Sequence, residues 1–104
     1  MVLIEMLSLM IRLKKNDEIN GKRIGNQIID FLIKSKLLGA TVWLGVDGFG
    51  KRGRSNIQIE GIMMNQPILI EVVDEKEKIE PLLVKLKRLI GDNGLITIHE
   101  VKII

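Results

Sequence analysis

The feature that most constrains the fold is the way the hydrophobic period switches along the chain. Two stretches place apolar residues at helical spacing, and each lies between runs that read as strands. From about Gly21 to Leu38 the apolar positions are Ile24, Ile28, Phe31 and Leu32, flanked by Ile29, Ile33 and Leu37. Gly39 stands where a C-terminal cap belongs. A second stripe runs through Ile79, Leu82, Leu83, Leu86, Leu89 and Ile90. Asp74, with Glu77 three residues later, is its expected N-cap. Pro81 predicts a lost backbone hydrogen bond and a bend in its second turn.

Strands are expected over residues 2–13, 40–47, 57–64, 68–73 and 95–103, with the nearly continuous apolar run of 68–73 in a central position. The order β-α-β-loop-β-β-α-β is the split βαβ arrangement of a ferredoxin-like α+β sandwich, with one extra strand after the central loop. Both helices should cover one face of an antiparallel sheet. The other face keeps Leu, Ile and Met at alternate strand positions, so a homo-oligomer that buries it is expected.

Composition narrows the function. The 104 residues fit one domain over 1–104, with no linker, repeat or low-complexity tract. No apolar run reaches the ~20 residues that span a bilayer, and the first residues lack the basic region and cleavage site of a signal peptide. Without cysteine there is no disulfide or thiolate chemistry, which fits a reducing, cytoplasmic setting. His99 is the only histidine, so no multi-histidine metal site forms within one chain, and it reads as an ordinary strand residue. Ser8, Ser35 and Ser55 have no nucleophile-elbow context for a triad with His99. A net charge of +3 gives a mild basic bias towards anionic ligands. Only Phe31, Trp43 and Phe49 are aromatic, too few for a single-strand stacking platform.

The chemistry concentrates between Gly39 and Arg54. A β-branched strand runs into a loop containing Gly45, Gly48, Gly50 and Gly53, with Lys51, Arg52 and Arg54 among them. Glycines let backbone N–H groups approach an anion closely, and the cations add fixed charge. The loop is read as a phosphate or nucleotide site, against the simpler alternative of a solvated basic hairpin. Two further readings stay open. A small acylphosphatase-like hydrolase would need Asp47 or Asn56 to orient a water. A non-specific nucleic-acid module would use the loop with Arg12, Lys14, Lys15, Lys22 and Arg23. Met63 and Met64 read as core or interface filler, and Trp43 as a core or subunit-interface residue.

These residues resemble a known family. Gly39-Ala-Thr-Val42 and Gly48-Phe-Gly-Lys-Arg-Gly53 are similar to the G-x-T-V strand and G-F-G-R-Q-x-G loop of PII signal-transduction proteins, with one inserted residue. Ile90-Gly-Asp-Asn-Gly94 resembles the PII I-G-D-G turn, and Pro67 to Asp74 its third strand. In overall pattern the chain resembles the PII-like family known as domain of unknown function 190. That family's A-T-V, G-x-x-G-F-G and D-x-x-E-K-I motifs match Ala40 to Val42, Gly45 to Gly50 and Asp74 to Ile79.

The resemblance implies a homotrimer with ligand sites in the clefts between subunits, binding an adenine nucleotide such as AMP, ADP, ATP or cyclic AMP. It implies signalling by rearrangement of the 48–67 loop to a client such as a membrane transporter or channel, with no specific nucleic acid and no obligatory cofactor. By position, Thr41 would contact the base. Gly48, Gly50, Lys51, Arg52 and Arg54 would hold phosphates, and Gly91, Asp92 and Gly94 would close in from the next subunit. Departures matter. Leu95 stands where PII proteins have a lysine, the sequence stops at Ile104 before their paired arginines, and there is no tyrosine to modify. Triphosphate binding should be correspondingly weaker.

Overall fold

The structure, a computed structural model, describes residues 1–55, 58–59, 62–63 and 65–104. Four strands form the main sheet: β1 (Ile4–Lys14), β2 (Thr41–Leu44), β3 (Pro67–Asp74) and β4 (Leu95–Ile103). Their order is β4-β1-β3-β2 and every neighbouring pair is antiparallel. This is the expected ferredoxin-like sheet, with the apolar 67–74 segment in the interior and β2 and β4 at the edges. The helices are α1 (Ile24–Lys34), α2 (Lys76–Ile79) and α3 (Leu83–Ile90).

Side-chain alternation divides the sheet. Leu7, Leu9, Ile11 and Leu13 of β1 and Ile70 and Val72 of β3 point towards the helices. They pack there with Ile24, Ile28 and Leu32 of α1, Ile79 of α2, and Leu86 and Ile90 of α3. Register places Met6, Ser8, Met10 and Arg12 on the opposite face, beside Leu69, Glu71 and Val73 of β3 and Thr41 and Trp43 of β2. That face is mixed rather than wholly apolar. Trp43 lies on it, 55% exposed, and does not enter the core of its own chain. His99 is an exposed residue of β4, as expected of an ordinary strand position.

Local signals account for the other differences from expectation. α1 ends at Lys34, and Lys36, not Gly39, takes the left-handed position (φ 60°). Asn20 and Gly21 both have positive φ, the requirement of a tight two-residue turn, and they join a short ribbon of Glu18–Ile19 with Lys22–Arg23 ahead of α1. Pro81 sits in a 3₁₀ turn, Glu80–Leu82, which divides the second helical stripe into α2 and α3. The strand expected over 57–64 is replaced, among the described residues, by Gln58–Ile59 paired with Ile62–Met63 in a separate ribbon. The expected roles of the Met63 and Met64 side chains, and of Asn56, lie outside the described residues.

Asp74 does not cap the helix in the expected way, because it remains the last residue of β3 and Glu75 holds the N-cap position. Its fully buried carboxylate accepts the Glu75 amide at 2.7 Å and the Leu38 amide at 2.8 Å, tying the α1–β2 connection to the end of β3. Lys78 Nζ lies 3.8 Å from the same carboxylate. Asp74→Ala would take the acceptor from two part-buried amides, and the expected loss is about 1–2 kcal/mol. Urea unfolding should show a lower midpoint at unchanged slope.

Candidate functional site

The glycine-basic loop folds back on itself. Phe49–Gly50 pairs with Gly53–Arg54, and the Ser55 amide donates to the Gly48 carbonyl at 2.8 Å. Gly45 packs so closely on Pro67 that a Cβ there would lie 2.6 Å from the proline ring, while its amide donates to the Pro67 carbonyl. The loop is thereby pinned to the start of β3. On the other side, Gly94 lies against the end of β1, where a Cβ would meet the Arg12 carbonyl oxygen at 2.0 Å.

Between these two contacts opens a cleft of about 520 Å³. Its lining includes Gly48, Gly50, Lys51 and Arg52 from the loop, Asp92 and Gly94 from the α3–β4 turn, and Arg12 and Lys14 from β1. One chain therefore brings together two groups of residues that the resemblance had divided between neighbouring subunits. Gly91 shapes the turn with φ 56° and ψ −131°, but is not among the cleft's lining residues. Thr41, at the far end of β2 and paired with Glu71, is not brought to this cleft. Phe49 stands at the mouth with its ring almost wholly exposed.

The three loop cations have different surroundings. Arg52 turns inward and forks onto Asp17, at 2.7 Å to Oδ1 and 3.0 Å to Oδ2, and also donates to the Asn93 carbonyl. Arg54 forks onto Asp47 at 3.1 and 2.7 Å, and Asp47 Oδ1 also accepts the Gly48 amide. Lys51 has no ion-pair partner among the described residues and faces the cleft freely.

Asp17 was not legible as a site residue, although it organises the whole region. Its buried carboxylate accepts the Lys14 amide at 2.9 Å, and its own carbonyl accepts the first amide of α1, from Ile24. Burial acts to raise its pKa. The Arg52 and Lys14 hydrogen bonds and the charges of both residues outweigh this, so the carboxyl titrates below its ordinary 3.8. The Asn20-Gly21 pair was the local signal that could have revealed the ribbon that follows Asp17. Nothing local pairs Asp17 with a residue 35 positions away.

Two outcomes test this geometry. Gly94→Ala must displace backbone, so a loss of about 2 kcal/mol or more is expected in urea unfolding. Because folding lowers the Asp17 pKa, its stabilisation is complete above the unfolded value and is lost as pH falls through the folded one. Asp17→Asn should therefore be less stable than the parent by about 1–2 kcal/mol, the exposed side of Arg52 limiting the effect. Thermal midpoints should keep that gap from pH 8 to about 5, and it should close below about pH 4.

Comparison with known proteins places this architecture. The family model described as "Uncharacterized ACR", domain of unknown function 190, matches residues 6–103. A UPF0166 protein of Methanocaldococcus jannaschii is 37% identical over 92 residues, covering 88% of this chain and 85% of that protein. Among solved structures, CPII of Thiomonas intermedia K12, a nitrogen regulatory PII-like protein bound to ADP, AMP and bicarbonate, superposes with a TM-score of 0.75. The two are 18% identical, with 99% of each chain covered. A "putative PII-like signaling protein" of Thermus thermophilus gives 0.64 at 13% identity, over 99% of this chain and 91% of that one. The chain thus has the PII-like fold and belongs to the domain of unknown function 190 family.

Proposed function

We propose that this chain is a PII-like regulatory protein that holds a nucleotide-sized anion in the cleft beside the glycine-basic loop. The observation that carries the reading is the meeting, in one cleft, of the loop's Lys51 with Lys14 and Arg12 of β1 and the tight Gly94 turn. A volume of about 520 Å³ suits a mononucleotide. With Asp92 as the one carboxylate among the described residues of the lining, the charge balance favours a mono- or diphosphate over a triphosphate. The ADP and AMP bound to CPII support an adenine nucleotide, with ATP and cyclic AMP as the further candidates.

Signalling in this reading starts at Arg52. A ligand phosphate competes with Asp17 and the Asn93 carbonyl for the guanidinium, loosening the loop where it is fastened to the body. Rearrangement of the 48–67 segment then alters a surface offered to a client, proposed to be a membrane transporter or channel. The assembly is proposed to be a cytoplasmic homotrimer, with the open sheet face buried between subunits. The role is binding, not catalysis.

Isothermal titration with AMP, ADP, ATP and cyclic AMP tests the reading. Saturable binding of at least one is expected, and Lys51→Ala should weaken it about tenfold or more, the worth of one charge-assisted hydrogen bond. No heat from any of the four at about millimolar concentration, where even weak binding of about −4 kcal/mol registers, would overturn it. Light scattering should return three times the chain mass.

A further inference from the structure

We infer that Asp17 sets which phosphate the cleft accepts. Its carboxylate already occupies the fork of Arg52, so the loop opens to a terminal phosphomonoester and stays shut to a singly charged diester. The inference rests on the anion-binding reading of the cleft, and names the ligand chemistry and the switch within it.

The glycine-basic loop is built as a flap. Phe49–Gly50 pairs with Gly53–Arg54, which leaves Lys51 and Arg52 at the tip. At the root, Arg54 forks onto Asp47, the Gly48 amide bonds the same carboxylate, and the Ser55 amide closes on the Gly48 carbonyl. The Gly45 amide holds that root to the Pro67 carbonyl at 2.7 Å. Arg52 fastens the tip separately, to both carboxylate oxygens of Asp17 and to the Asn93 carbonyl. A braced root and a tip held through one side chain let the hairpin swing as a unit.

Asp17 stands behind this tip and outside the cleft. Lys51 and Arg52 are among the lining residues, and Asp17 is not. The Asp17 side chain is 6% exposed and that of Arg52 38%, so Arg52 stands between a buried carboxylate and the cleft. These contacts lie within one chain and do not depend on which of its faces a neighbouring subunit covers.

Charge decides what can take the fork away. A planar guanidinium pairs in two-pronged fashion with carboxylate or phosphate, and Asp17 already supplies one full charge at 2.7 and 3.0 Å. A phosphodiester also brings one charge, so the exchange gains nothing and leaves a buried carboxylate without its partner. A phosphomonoester brings about −1.5 to −2 at neutral pH, with a third oxygen for Lys51. Lys14 stays behind as the counter-charge of Asp17, since its amide bonds that carboxylate at 2.9 Å and its charge favours the ionised form. Asp17 is thus a resident competitor. It lowers affinity for every anion, and most for those with a single charge.

Isothermal titration of AMP, ADP and cyclic AMP tests this on the full chain and on Asp17→Asn, Arg52→Ala and the double variant. AMP and ADP end in a monoester, whereas the phosphate of cyclic AMP is a diester. The parent should bind AMP or ADP about tenfold or more tightly than cyclic AMP. Asp17→Asn should bind all three more tightly, cyclic AMP by about tenfold or more, so that the preference shrinks. Its lower stability cannot imitate a gain in affinity. In the Arg52→Ala background the same substitution should leave the preference unchanged, because the fork it frees is absent. Should Asp17→Asn fail to fold by circular dichroism, Arg52→Lys replaces it. Lysine keeps the charge but grips Asp17 at one point, and the preference should again narrow. Equal affinity for monoester and diester in the parent, or an unchanged preference in Asp17→Asn or its replacement, would overturn the inference. So would a preference that narrows as much in the Arg52→Ala background, which would leave Asp17 as a bare repelling charge. Absence of binding by all of these proteins would strike down the anion-site reading itself, and this inference with it.

Discussion

A buried carboxylate joined to an arginine 35 residues away holds the candidate site in shape. Asp17 sits just past the end of β1, accepts the Lys14 amide from that strand, and offers its carbonyl to the first turn of α1. Arg52 reaches it from the glycine-basic loop and simultaneously grips the Asn93 carbonyl of the α3–β4 turn. Three segments remote in sequence therefore meet at one ion pair. Its geometry is bidentate, and one partner is shielded from water while the other is partly solvated. That combination is strong enough to order a loop.

The two glycine contacts work alongside this pair. Gly45 against Pro67 and Gly94 against Arg12 are close backbone approaches that no side chain could share. They bound the cleft on two sides, and the ion pair fixes the position of its loop wall. Lys51 is the loop cation left without a carboxylate among the described residues, so the field in the cleft rests on it together with Lys14 and Arg12.

Periodicity made the architecture readable. The apolar stripes over 24–32 and 79–90 became the helices, and the apolar 68–73 run became an interior strand, paired along both of its edges. Tertiary pairing was not readable, since Arg52 and Asp17 look like two solvated charges until the chain is folded. Asp74 shows the same limit: as a helix-cap residue it was plausible locally, but a partner at Leu38 drew its carboxylate elsewhere. Gly39 misled for a simpler reason, because Ser35 and Lys36 had already closed α1 through bonds to Phe31, Leu32 and Ile33. The loop's glycines and cations did mark the cleft, whereas Arg12 and Lys14, which line it too, were grouped with the loop only in the nucleic-acid reading.

The sheet order also bears on how the chain reaches this state. Ile11, in the first strand, lies opposite Ile70 on one side and Ile96 on the other, so β1 has neither neighbour until most of the chain has been made. Pairings that distant close large loops before any reward arrives, which slows folding relative to a helical bundle of equal size. During that interval a strongly apolar segment has its hydrogen-bonding edges unoccupied on both sides. The nascent first strand is therefore the point of greatest exposure to misassociation, and it gains protection only when the last strand docks.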